Sequence, residues 1–238
     1  MGYLLLALGF LALEGPEELP KRYVKVQACT ARLQSTPHLD VRHWKRGYGT
    51  TKAVRLLGEA AKEVARRHPG GGPVRVGDMS WSGGGRMPPH LSHHEGRDAD
   101  VGYFRLGEES RDPFFRVTRA KELDLPRTWT LLEALLRSGE VEYIFMDYTL
   151  QRALHGYARS LGLSAEALRP IFQYPRPSWE RVGIIRWVKG HHTHFHVRFL
   201  AAETAIWELG RRLLGMSTPR RWIKQAQRSR RVHPPRGE

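Results

Sequence analysis

The sequence predicts an α+β domain in which a small antiparallel β-sheet is flanked by helices. Three observations carry that expectation. Segments of helical and strand character follow one another as helix, strands, helices and strand, without the regular βαβ rhythm of a parallel sheet. The run His194-Phe195-His196-Val197 alternates polar and apolar residues, as a half-buried strand does. With 238 residues, 40% of them hydrophobic, and seven Trp, the chain can bury one sizeable core, so one domain with extensions is expected.

Taken in order, residues 50–68 read as an amphipathic helix, with Val54, Leu57, Ala61 and Val64 on one stripe and a Thr cap before it. Pro69 and the three glycines after it end that helix, and residues 73–79 then read as a strand. A loop rich in Gly and Pro, 80–92, follows; Gly83, Gly84 and Gly85 permit a tight turn with positive φ there. Residues 98–102 form a short strand that puts Asp98 and Asp100 on one face. Residues 129–137 and 150–162 read as helices on either side of a strand at 142–147. A stretch broken by prolines leads to the final histidine strand, and residues 201–216 resemble a short closing helix. From Thr218 onward seven Lys or Arg, three Pro and one Glu form a segment that cannot bury a core. The expected organisation is an extension over 1–40, one folded domain over 41–216 and a basic tail over 217–238. No internal repeat is present.

Seven of the twelve histidines lie in two short segments, 87–100 and 190–196. Imidazole is the commonest zinc ligand, and a catalytic zinc typically takes three protein ligands and keeps a fourth position open. His93 and Asp100 are seven residues apart, so one uninterrupted strand would set them on opposite faces, and Gly96 supplies the freedom for the intervening turn. Of the two aspartates, one can bind metal while the other orients a ligand. His194 and His196 share a strand face about 7 Å apart, a separation that suits one ligand and one neighbour acting on water. His38, His43, His68 and His155 read as ordinary structural histidines.

At these residues the chain resembles a known family. The string PPH-x-SH-x2-G-x-D-x-D followed by H-x2-H-x-H is similar to that of the penicillin-insensitive murein endopeptidases, within the superfamily of lysostaphin, D-Ala-D-Ala carboxypeptidases and the hedgehog signalling domain. The likeness runs from about Trp44 to Phe199 and takes in VGDMSWSGGG, YIFMD, FQYP and HFHVRF. It implies a hedgehog-like or D-Ala-D-Ala peptidase-like fold and one zinc per chain. The implied zinc ligands are His93, Asp100 and His196. His194 is the implied catalytic base or transition-state stabiliser, with His191 and His90 lining the site and His191 or His194 donating to the leaving amine. His94 and His192 have no counterpart, so the regular strand is expected to start after His192. The implied reaction is cleavage of the D-alanyl to meso-diaminopimelate cross-link of peptidoglycan. Carboxypeptidase relatives place Glu-x-x-His where this chain has His191-x-x-His194, which favours endopeptidase chemistry over D-Ala-D-Ala trimming. A non-catalytic wall-binding module is the further alternative.

A formal charge of +15 calls for an anionic partner, nucleic acid or cell wall. A His-Asn-His nuclease needs an Asn, and the sequence has none, so no nucleic-acid partner is expected. A structural zinc site is closed by four ligands, usually rich in Cys, and Cys29, the only cysteine, lies far along the chain from both strings and can form no internal disulfide. The apolar run 3–13 is of signal-peptide length and far too short to span a bilayer core of about 30 Å. It lacks a basic start and a clean small-residue cleavage site, yet a periplasmic or secreted protein without a transmembrane anchor is expected. Asp78 and Asp147, each at the end of an expected strand, are candidates for orienting a ligand or for capping. Trp81, Tyr103, Tyr174 and Trp187 are candidate substrate contacts.

Overall fold

The computed structural model describes residues 29–107 and 114–201. Its strands are β1 (Ala31–Arg32), β2 (Leu39–Val41), β3 (Tyr48–Gly49), β4 (Val74–Val76), β5 (Asp98–Gly102), β6 (Val141–Phe145), β7 (Ile185–Arg186) and β8 (His194–Phe199). Its α-helices are α1 (Thr51–Arg67), α2 (Leu125–Arg137), α3 (Tyr148–Ser160) and α4 (Ala165–Leu168). The apolar run 3–13, the expected closing helix 201–216 save its first residue, and the basic tail lie outside the described residues.

The helices begin where their caps stand. Thr50 Oγ1 accepts from the Ala53 amide at 3.1 Å, and Ala53, Leu56, Leu57, Ala60, Ala61 and Val64 then form the buried stripe of α1. Asp124 caps α2 in the same way, with Pro126 in its first turn where the missing amide costs nothing.

Six strands form one sheet in the order β2-β4-β5-β8-β6-β7, while β1 and β3 pair separately. The class is α+β, as expected, and the three inner pairs of the sheet are antiparallel. The two outer pairs, β2 with β4 and β6 with β7, are parallel. Parallel neighbours need a crossover, and α1 supplies one between β2 and β4 while α3 and α4 supply the other. The sheet is therefore mixed rather than wholly antiparallel. The folded unit also reaches back beyond residue 41, because β2 pairs with β4 and both Leu33 and Leu39 are buried in the core.

One face of the sheet carries the core. Val74, Val76, Ala99, Val101, Ile144, Phe195, Val197 and Phe199 join Leu57, Leu131, Leu132, Leu150 and Leu154 of the helices in a single apolar cluster. Burial of Phe195, Val197 and Phe199, at about 1.5–3 kcal/mol each, fixes the register of β8. A slip of one residue would carry His194, His196 and Arg198 into that cluster. The opposite face is left for polar side chains.

Candidate metal centre

Register builds this second face as a grid. His196 of β8 stands opposite Asp100 of β5 on one side and Phe145 of β6 on the other, His194 stands opposite Gly102, and Arg198 opposite Asp98 and Tyr143. His93 joins from the loop before β5. Gly96, at φ 65°, turns the chain between His93 and Asp100 in the way their seven-residue separation requires. Gly83, Gly84 and Gly85 all adopt positive φ, so the glycine run is a sequence of tight turns. Cys29 is distant in sequence but packs beneath this loop, where a Cβ on Gly96 would lie 2.5 Å from its sulfur.

His93, Asp100 and His196 are buried and meet at one point. His93 Nε2 and His196 Nδ1 are 3.1 Å apart, His93 Nε2 and Asp100 Oδ1 3.2 Å, and His196 Nδ1 and Asp100 Oδ1 3.1 Å. Tetrahedral ligands at the usual zinc distances are separated by about 3.3–3.4 Å. The outer nitrogen of each imidazole faces an acceptor: His93 Nδ1 donates to the Met79 carbonyl at 2.9 Å and His196 Nε2 to Asp98 Oδ1 at 2.9 Å. With the outer nitrogens so engaged, Nε2 of His93 and Nδ1 of His196 face inward beside a carboxylate oxygen, where they would become ligand lone pairs once a metal displaces the protons they share with Asp100. The residues present thus fit a divalent metal. His90, His93 and Asp100 also offer ligand atoms within 4.8 Å of one another. That set is looser, and His90 has a second engagement: its Nε2 meets Asp78 Oδ2 at 2.9 Å, which also accepts from Arg46.

The electrostatics follow from burial and pairing. Burial would raise the Asp100 carboxyl, but hydrogen bonds from His196 and His93 hold it well below the usual range. Burial would lower His196, yet Asp100 and Asp98 lift it to about 9. The hydrogen bond to Asp78 lifts His90. His194 goes the other way, lowered by burial to about 4, and burial lowers His191 as well. Both are thus neutral beside a charged group. His194 Nε2 lies 3.6 Å from Asp100 Oδ1 and its Nδ1 meets Thr193 Oγ1 at 2.9 Å. His191 Nδ1 donates to the Val188 carbonyl at 3.0 Å, which leaves its Nε2 a lone pair.

Eight of the nine expected site residues therefore share this face or its rim: His90, His93, Asp78, Asp98, Asp100, His191, His194 and His196. Asp147 does not bring its carboxylate to the group. Its Oδ1 accepts from the amides of Thr149 and Leu150 and caps α3, and only its backbone amide reaches the His191 carbonyl, at 3.3 Å. A strand-end aspartate followed by a helix is a cap by position, and that role prevails. His94 and His192 are exposed. Tyr103 is buried and donates to the His191 carbonyl, so it braces the site from within. Arg198 was not singled out from sequence, though strand parity with His196 marks it; its Nη1 lies 3.3 Å from Asp98 Oδ1. Arg46, the partner of Asp78, carries no signal in the sequence.

An α+β sheet whose polar face gathers two imidazoles and a carboxylate has the donor set of a metallopeptidase. The chain belongs to the penicillin-insensitive murein endopeptidase family, whose model matches residues 31–206. Membership supports murein endopeptidase activity, with peptidoglycan as substrate. No curated protein matches the chain. No helix among the described residues is long and apolar enough to cross a membrane.

Proposed function

We propose that the protein is a zinc-dependent murein endopeptidase of the periplasm or cell exterior that hydrolyses the D-alanyl–meso-diaminopimelyl cross-link. The observation that carries this reading is the triangle of His93 Nε2, Asp100 Oδ1 and His196 Nδ1, with sides of 3.1–3.2 Å. These three residues would hold one zinc. Bound there, zinc supplies Lewis acidity, which acidifies water and polarises an amide carbonyl.

The chain's own residues do the rest. Asp98 fixes the His196 ring through Nε2 and keeps its proton on the outer side. His194 and His191 are both neutral, and one of them, His194 near the Asp100 oxygen or His191 through its free Nε2, takes up the proton released by the attacking water and returns that same proton to the leaving amine. His90 lies beside Asp100, its Nδ1 3.7 Å from Oδ2, and its hydrogen bond with Asp78 shifts it toward the charged form. The unit over 41–216, extended back to about β1, is the catalytic domain, and the basic tail adds attraction to an anionic wall.

The test joins metal content to product release. Zinc-loaded protein should release monomeric muropeptides from cross-linked sacculi, and chelated protein should not until zinc is restored. Full activity without metal, or zinc-loaded protein that leaves cross-links intact, overturns the proposal.

A further inference from the structure

Beside His194 the site face is bare. Two glycines on it, Gly77 just after β4 and Gly102 in β5, carry no side chain where the neighbouring strands carry Asp100 and His194. The Phe115 ring fills that gap. A Cβ on Gly77 would overlap Phe115 Cζ and lie 2.7 Å from Cε2, and one on Gly102 would lie 3.2 Å from the Phe114 carbonyl and 3.5 Å from Phe115 Cδ1. Gly77 is held down by the hydrogen bond its amide N–H donates to the Asp100 carbonyl at 2.8 Å. The ring then lies flat on His194, with centroids 4.9 Å apart and planes 16° from parallel. The Arg42 guanidinium sits 5.7 Å from the Phe115 centroid. The segment after Phe115 is tied to the histidine strand, because the Thr118 amide donates to the His192 carbonyl at 2.9 Å.

His194 needs such a neighbour. Its Nδ1 meets Thr193 Oγ1, a single contact, and rotation of the ring about Cβ–Cγ would turn Nε2 away from Asp100. A face-on aromatic blocks that rotation, and an offset stack of this kind is intrinsically favourable.

We propose that Phe115 is a positioning residue for His194, seated on Gly77 and Gly102 so that it clamps the imidazole with Nε2 toward Asp100. The proposal rests on the reading of His194 as the acid or base. It takes no part in holding zinc, so it separates cleanly from the metal ligands.

Two variants of the full zinc-loaded chain test it. Phe115→Leu removes the flat ring, and Gly77→Ala pushes the ring off its seat while leaving Phe115 in place. Three quantities are read: zinc content, kcat and KM on a soluble cross-linked muropeptide, and ring-proton shifts in histidine-labelled protein, with His194 assigned by its loss in His194→Gln. In the native chain the His194 ring protons should lie upfield from the Phe115 ring current. Both variants should abolish that shift, keep zinc and KM, and lower kcat about tenfold, the scale of a small misplacement of a reacting group. Native kcat in either variant overturns the proposal, as does a fall in kcat that tracks lost zinc. Failure of both variants to fold would make Phe115 a core residue and overturn it equally. A His194→Gln protein with native turnover would instead remove the acid–base reading, and the ring shift would still report whether the stack exists.

Discussion

His196 is engaged at both ring nitrogens, by Asp98 on the outside and by the space shared with His93 and Asp100 on the inside. His196→Ala and Asp100→Ala should each lose zinc and turnover together. His194 touches that space only at 3.6 Å, so His194→Ala should keep its zinc and lose roughly 10² to 10⁴ fold in rate. His94→Ala and His192→Ala, both at exposed positions, should be nearly silent. Zinc stoichiometry and hydrolysis measured on the same samples decide all five, and a metal-free His194→Ala protein would reverse the assignment. The same residues set the response to pH. In the metal-free protein His196 is lifted from 6.5 to about 9, so its stabilising contribution is complete below about pH 6.5 and is lost as pH rises through 9. The Tm of metal-free protein should therefore fall across that window. Zinc must displace the same proton, so uptake at pH 8 should release about one proton per chain, measurable by calorimetry in buffers of different ionisation heat. Because that proton competes with zinc, affinity for the metal should weaken as pH falls below about 9, and zinc and activity should be lost together in acid.

At the level of elements, the loop that delivers His93 is the most constrained part of the site. Gly96 has φ 65°, and a Cβ there would lie 2.5 Å from Cys29 Sγ and 2.9 Å from the Gly49 Cα. Gly96→Ala should cost about 2 kcal/mol or more by urea denaturation. Adding Cys29→Ala should not restore it, because the Gly49 backbone cannot move aside as a side chain can. Much of this level was legible in the sequence. α1 starts at its Thr cap because its 3.6-residue stripe has one orientation toward the core, and β5 and β8 show their faces through the alternation of Asp98 with Asp100 and of His194 with His196. What stayed hidden lacks local pattern. β1, β3 and β7 are two residues long, too short for any periodicity. The parallel edge pairs depend on which strands the helices connect, and the seat of Phe115 and the place of Cys29 depend on glycines that carry no side chain to read. Asp147 satisfied the residue type of a site aspartate and the position of a cap, and only the fold separates the two.

For the molecule as a whole, charge and topology set the remaining expectations. The net +15 includes the seven Lys or Arg beyond Thr218, outside the described residues. Deleting residues 218–238 should weaken sacculus binding at low salt and spare hydrolysis of a small soluble muropeptide. Loss of the small-substrate activity would place the tail within the catalytic fold. The partners His196 and Asp100 are 96 residues apart in the chain, and His196 and His93 are 103 apart. They meet only once β5 and β8 have paired, late in a search that must close a long loop. The three-ligand site is therefore absent from the unfolded chain, where the histidines of 87–100 and 190–196 offer zinc only weaker, local contacts. Metal should act as a latch on the finished protein: in stopped-flow chevrons, saturating zinc should slow the unfolding limb many-fold and leave the refolding limb where it was.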